Sequence, residues 1–168
     1  MIYRIYSNKD TTIYEDSTRK DQNVGKDEVI EVGKLYDTDN ETLLGNSRAL
    51  VSFDLTEISQ SVSDGTITSP HYRLRLENIE SKEIQDNYDL FVYPIKDSWV
   101  EGLGQEVDNP HHEEACTWTS PTTGGTWSIA GALVGEARDT SKINSLISSI
   151  DFVSGLGGFE LVDKIKGS

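Results

Sequence analysis

The sequence predicts an all-β fold, an antiparallel β-sandwich of jelly-roll type with one short helix near the C-terminal part. Three observations lead there. Apolar residues recur at every second position in several short segments, clusters of Gly, Asn, Asp and Ser separate those segments, and helical periodicity is confined to one stretch. About eight such segments in a single chain match the usual eight-strand solution for a closed pair of antiparallel sheets.

The segments run in the following order. Ile2 to Tyr6, Thr11 to Glu15 and Val29 to Gly33 are short strand candidates. From Ser47 to Leu55, Ala49, Val51, Phe53 and Leu55 alternate with Leu50, Ser52 and Asp54, which predicts a strand with the first set on the core. Ile67 to Leu76 repeats the pattern, with Tyr72, Leu74 and Leu76 set against His71, Arg73, Arg75 and Glu77. In Leu90 to Ile95 both alternating sets are apolar, so this strand is expected to be covered on both faces or to pack on a neighbouring chain. Pro94 removes a ladder donor and places it at an edge or a strand end.

The stretch from Val100 to Gly125 has no clean period and is rich in Gly, Pro, Asn and Thr, which predicts a long excursion between strands. Thr126 to Ile129 and Gly158 to Val162 are the remaining strand candidates. Between them Ile143, Leu146, Ile147 and Ile150 fall at i, i+3, i+4 and i+7, so a short helix is expected over Thr140 to Ile150 against an open end of the sandwich, with Asp139 or Thr140 as its cap.

At 168 residues the chain fits one domain, 1–168, large enough to bury a core without disulfides. Fifteen basic residues against twenty-nine acidic ones give a formal charge of -14, a field that repels nucleic acid and anionic membrane surfaces. No stretch approaches the ~20 apolar residues of a membrane-spanning helix. The alternating start, Met1-Ile-Tyr-Arg-Ile-Tyr6, lacks the apolar core of a secretory signal, so export by that route is not expected. Cys116 is the only cysteine and is expected to be a buried apolar side chain.

Candidate sites are few. Trp99, Trp118 and Trp127, with Tyr88 and Tyr36, have three readings: a stacking platform for sugar rings, plugs at the ends of the core with the indole N–H tying a loop, or contacts with a partner. His111-His112-Glu113-Glu114 beside Asp108 offers metal-ligand chemistry, but adjacent ligands rarely converge on one ion, and a solvated loop is the expectation. Asp37-Thr-Asp-Asn-Glu41 fails the EF-hand pattern, since Thr42 stands where glycine is needed and Arg48 where the bidentate glutamate is needed. A structural calcium between loops, drawing on Asp10, Glu15, Asp16 and Asp139, is compatible with a jelly roll; no metal or other cofactor is assigned.

No nucleophile elbow, phosphate loop or zinc-protease motif is present, and no catalytic residue is assigned. Glu101 in Trp99-Val-Glu101 is expected to sit in a turn, bonded to backbone N–H groups, in preference to acting as an acid catalyst.

Seven segments in order carry a family resemblance: Asp10-Thr-Thr-Ile-Tyr14, Asn23-x-Gly25, Ile30-x-Val-Gly33, Ser47 to Leu55, Tyr72-Arg-Leu-Arg-Leu76, Val92-Tyr-Pro-Ile95 and Trp99-x-Glu-Gly102. Over roughly residues 10–130 the chain resembles the DNRLRE-type domain, a jelly roll related to carbohydrate-binding modules. Its opening, with Trp99-Val-Glu-Gly-Leu-Gly104, Asp108-Asn-Pro110, Thr117-Trp118 and Gly124-Gly-Thr-Trp127, is most similar to the version in virion structural proteins of tailed phages, especially cyanobacterial myophages.

The closing strand after Gly157-Gly-Phe159 is abbreviated and the motif that names the family has no copy. Either the chain is therefore the front part of a longer polypeptide or a neighbour completes its last sheet edge. The resemblance implies a non-enzymatic virion protein, assembled in the host cytoplasm as a capsid decoration, neck, tail or fibre attachment. It would dock on other virion proteins in many copies or as a homo-oligomer. The alternative it implies is a carbohydrate-binding module for a cell-surface or extracellular polysaccharide.

Overall fold

The computed structural model describes residues 2–37, 39, 41–69, 73–76, 87–90, 92, 95, 97–132, 150–153 and 159–162. The fold is all-β, and every strand pairing among the described residues is antiparallel, as expected. Three strands, β1 (Ser7–Tyr14), β2 (Gly33–Asp37) and β3 (Thr42–Phe53), form a sheet in the order β1-β3-β2. A single helix among the described residues, α1 (Thr56–Ser63), follows β3. Two further pairs join β4 (Arg73–Leu76) to β7 (Phe159–Val162) and β5 (Asn87–Leu90) to β6 (Ile150–Val153).

The β-branched run Thr11-Thr12-Ile13 suits the centre of a strand with both faces covered, and Thr11 to Tyr14 are all buried. β3 is the middle strand, with Ile13 opposite Arg48 and Thr11 opposite Leu50. It is Leu50 that enters the core, while Ala49, Val51 and Phe53 are half-buried, the reverse of the expected assignment. Period 2 sets which residues share a face, not which face is the deeper one, and here both are partly covered.

The core beside this sheet holds Ile13, Leu50, Trp99, Cys116, Trp118 and Trp127, with Ile95 and Ala132 packed against it. Four of those six come from 97–132, a segment without helix or strand; the expected long excursion, Val100 to Gly125, holds Cys116 and Trp118, and Trp99 and Trp127 flank it. Burial pushes the Cys116 thiol up to about 12, against a small opposing pull from Lys9. That keeps it neutral and unreactive near pH 7.

Other segments differ from expectation. Ile2 to Tyr6, Ile67 to Ser69 and Thr126 to Ile129 form no strand, and of Val29 to Gly33 only Gly33 is in a ladder. Val92 and Ile95 also lie outside any strand, while residues 91, 93 and 94 fall outside the described set. The expected helix over Thr140 to Ile150 lies outside it as well, except for Ile150, which opens β6.

The helix that is present had local signals. Asp54 accepts bonds from the Thr56 N–H at 3.0 Å and from its hydroxyl at 2.6 Å, Glu57 stands in the first turn, and Gly65 at φ 78° follows the end. Leu55, Ile58 and Val62 fall at i, i+3 and i+7, and only Ile58 is buried.

Replacing Leu50 by Ala is expected to cost about 2–5 kcal/mol in urea unfolding, because a buried side chain between strand and indole leaves a cavity. Val62→Ala on the outer face of α1 should stay within about 0.5 kcal/mol. Equal effects would mean that the core is elsewhere.

Candidate functional site

All three tryptophans are core residues, Trp99 and Trp118 at 6 % exposure and Trp127 at 3 %. Their ring faces are covered by the chain itself. The Lys9 ammonium lies 4.9 Å from the Trp99 ring and the Arg48 guanidinium 4.5 Å from Trp118, each placed for a cation–π contact. Gly131 abuts the Trp118 ring, and the Trp127 indole donates to the Thr117 carbonyl at 2.9 Å. The stacking platform expected as one reading is therefore corrected: the tryptophans plug the core and tie loops. They offer no free face within this chain.

What holds the loop layer is the side chain of Asn23, fully buried. Its amide nitrogen donates to the carbonyls of Glu101 at 2.7 Å and Cys116 at 2.8 Å. Its oxygen accepts from the N–H groups of Gly104 at 2.9 Å and Gly25 at 3.3 Å. Its own backbone N–H donates to His112 at 2.7 Å. Two donors and two acceptor positions are all an asparagine has, and every one is used on backbone. Two carbonyls on one side and two N–H groups on the other fix which way the amide faces.

Approach this close needs glycine. A Cβ on Gly104 would strike the Asn23 backbone, and one on Gly102, at φ 87°, would strike the Asn23 amide. Thus Asn23-x-Gly25 and Trp99-x-Glu-Gly102, separate pieces in the sequence, are the two halves of one contact.

Glu101 completes it. One carboxylate oxygen accepts the Asp10 N–H at 3.0 Å, on the side of β1 away from β3, and the other pairs with the Lys26 ammonium at 3.1 Å. Lys9 reaches the Trp99 carbonyl at 2.9 Å, and the Glu31 N–H donates to the Thr12 hydroxyl at 2.8 Å. Glu101 thus acts as a backbone clip, as the sequence led us to expect. Its oxygens are turned to the protein and not to an open cleft.

The metal candidates do not converge. Glu15 is held by Asn46, while Asp16 takes bonds from Thr18 and Arg19, with its carboxylate 2.9 Å from Arg19 Nε. Asp10 accepts from Ser7, and Asp139 lies outside the described residues. His112 Nε2 stands 3.6 Å from Asp108, and His111, Glu113 and Glu114 are exposed. Among the described residues no three His, Cys, Asp or Glu side chains are grouped to hold an ion.

The two tyrosines stand apart from the tryptophans. Tyr88 is on β5, in register with Phe152. Tyr36 is on β2, directly across from Leu43, and cross-strand partners share a face. Tyr36 is 56 % exposed, Leu43 47 % and Leu44 52 %, so the β2–β3 hairpin carries large apolar side chains into solvent. Val29 and Val32, leading into β2, are exposed as well. A second surface feature is a cleft of about 250 Å³ between the N-terminal segment Tyr3–Tyr6 and Asp54, Glu57 and Ile58, bridged by a Tyr3–Glu57 hydrogen bond.

No family model matches this chain, and neither a curated protein nor a solved structure matches it.

Sequence reasoning missed Asn23 as the keystone, along with Lys9 and Arg48 as ring partners. An asparagine two residues before a glycine and a Glu-Gly-x-Gly run were the available signals, but neither shows that the two meet.

Asn23→Asp keeps the shape of the side chain but turns an oxygen toward two carbonyls, and should cost about 3 kcal/mol or more, since buried groups left unpaired cost about 1–3 kcal/mol each. Denaturant unfolding reads this directly; a loss below about 1 kcal/mol would show that the loop layer does not rest on this amide.

For Asp16, burial alone would raise the carboxyl, but hydrogen bonds from Thr18 and Arg19 and the Arg19 charge hold it below the usual carboxylate range. A carboxyl depressed on folding contributes stability that is present above its unfolded value near about 4 and is lost as pH falls through the folded value. Asp16→Asn should therefore lower the melting temperature at pH 7 and lose less stability than the parent between pH 5 and pH 2. Parallel stability curves for the two proteins would refute the assignment.

Proposed function

We propose that this protein is a non-enzymatic assembly module, a structural protein of a tailed-phage virion that acts through contacts with other virion proteins. One observation carries the assembly reading. The tryptophans are committed to the interior, Trp99 capped by Lys9 and Trp118 by Arg48, while three of the apolar residues left outside, Tyr36, Leu43 and Leu44, cluster on an edge hairpin. Buried tryptophans do not take sugar rings, whereas exposed apolar residues on a sheet edge suit protein contact. Glu101, the one carboxylate with an aromatic neighbour that invited a catalytic reading, is held by Asp10 and Lys26. The virion setting rests on the resemblance of the ordered segments between residues 10 and 130.

The strongly acidic surface fits a protein held at high local concentration, where like charge keeps free copies apart until they dock. Position in the particle, whether capsid decoration, neck, tail or fibre attachment, follows from which partner carries the complementary surface.

Two measurements test the proposal. Quantitative mass spectrometry of purified particles should find the chain at a fixed copy number; its absence from particles would overturn the virion setting. Acrylamide should quench the tryptophan fluorescence weakly until the protein unfolds, unchanged by host-surface polysaccharides. A polysaccharide that binds and loses at least tenfold in affinity with Tyr36→Ala would instead establish the carbohydrate-binding alternative.

A further inference from the structure

We infer that the outer edge of β2, Gly33–Asp37, accepts an extended basic segment of a partner protein as a fourth strand of the β1-β3-β2 sheet; this rests on the assembly reading above and names its contact. The two edges of that sheet are built differently. On β1 the Asp10 N–H is taken by Glu101, the Thr12 hydroxyl by Glu31, and Thr11 to Tyr14 are buried beneath the loop layer. On β2 the ladder to β3 is the only strand pairing among the described residues, and Gly33, Lys34 and Tyr36 are exposed.

Edges that must stay single are usually guarded by proline, by a bulge that twists the edge away, or by several charges. β2 has no proline, and its one register shift places the extra residue, Leu44, on β3, so β2 itself stays regular. Its two charges, Lys34 and Asp37, stand toward opposite ends of the strand and leave Leu35 and Tyr36 between them. Strand addition on such an edge takes its affinity from main-chain hydrogen bonds and its specificity from side chains at alternate positions. The side chains waiting there are apolar, with Tyr36 and Leu43 side by side on one face and Leu44 at the bulge.

Charge selects the occupant. Asp39 and Glu41 are exposed in the turn that follows this edge, with Asp37 in the strand and Lys34 as the only opposing charge from Gly33 to Glu41. A segment with lysine or arginine between its apolar residues complements that rim, and complementarity of this kind speeds encounter and fixes the partner. A second copy of this chain does not, since each copy brings a formal charge of -14.

Hydrogen–deuterium exchange on the whole protein, with an octapeptide amide of alternating lysine and valine as the probe, tests this. Expected is at least fivefold slower exchange confined to residues 33–37. A charge-matched lysine–proline peptide should give none, because it attracts equally but cannot form a ladder. An alternating glutamate–valine peptide should bind at least tenfold more weakly. The double variant Tyr36→Lys, Leu43→Lys, both on exposed positions, should melt like the parent and lose at least tenfold in affinity for the lysine–valine peptide.

No protection of β2, equal protection by the proline peptide, or protection that rises with protein concentration in the absence of peptide would overturn the inference, the last by putting a second copy on the edge. Should the peptide fail while the double variant still enters particles, this contact falls and the assembly reading stands. Addition of the peptide to β2 in a protein absent from particles would mean the reverse.

Discussion

The fold depends on one side-chain amide. A segment with neither helix nor strand, residues 97–132, supplies four of the six central core residues, and such a segment brings its backbone polar groups inward with it. Buried N–H and C=O groups need partners, and without a ladder they must find them singly. Asn23 supplies four at once by bridging the turn after β1, the Glu101–Gly104 run and the backbone at Cys116. Once that bridge is made, Trp99, Trp118 and Trp127 are fixed against Ile13 and Leu50, and the sheet gains its second layer. The apolar packing and the hydrogen bonding are one event: the indoles could not close over the sheet with unpaired carbonyls between them.

The same layer explains why the cations are where they are. Lys9, Arg19 and Arg48 each lie over an aromatic ring, on Trp99, Tyr14 and Trp118. In a chain with an acidic surplus basic side chains are few, and these three among the described residues serve to cover ring faces. Each charged head over a ring also bonds an oxygen, Lys9 the Trp99 carbonyl, Arg19 the Asp16 carboxylate and Arg48 the Gly131 carbonyl.

The sequence made the class of fold legible because alternation survives any detail of packing. β3 was found over its second half, from Ser47 on, and overrun by two residues, β7 was found within one residue, and the absence of regular structure over Val100 to Gly125 was read from its lack of period. Depth was not legible: alternation in Ser47 to Leu55 separates two faces, but Leu50 is the deeper side only because Trp99 and Trp118 arrive from far along the chain. The site was half legible. Tryptophans next to glycines pointed to loop plugs, and Glu101 to a backbone clip, since both readings follow from local chemistry. That Asn23 meets Gly102 and Gly104 is a matter of tertiary register, which no spacing along the chain encodes. Helix α1 was missed for another reason: its eight residues carry only a partial apolar stripe, and a strand running to Leu55 masks its start.

One asymmetry of the three-stranded sheet sets the stoichiometry of anything that joins it. A sheet open at both sides can be extended without limit, and repeated head-to-tail addition produces filaments. Here the β1 side is sealed by Glu101 and the loops above it, so growth can proceed from the β2 side alone. Each protomer then terminates a sheet and cannot propagate one. A strand added at β2 would therefore cap this sheet on its one open side and leave no second side for another.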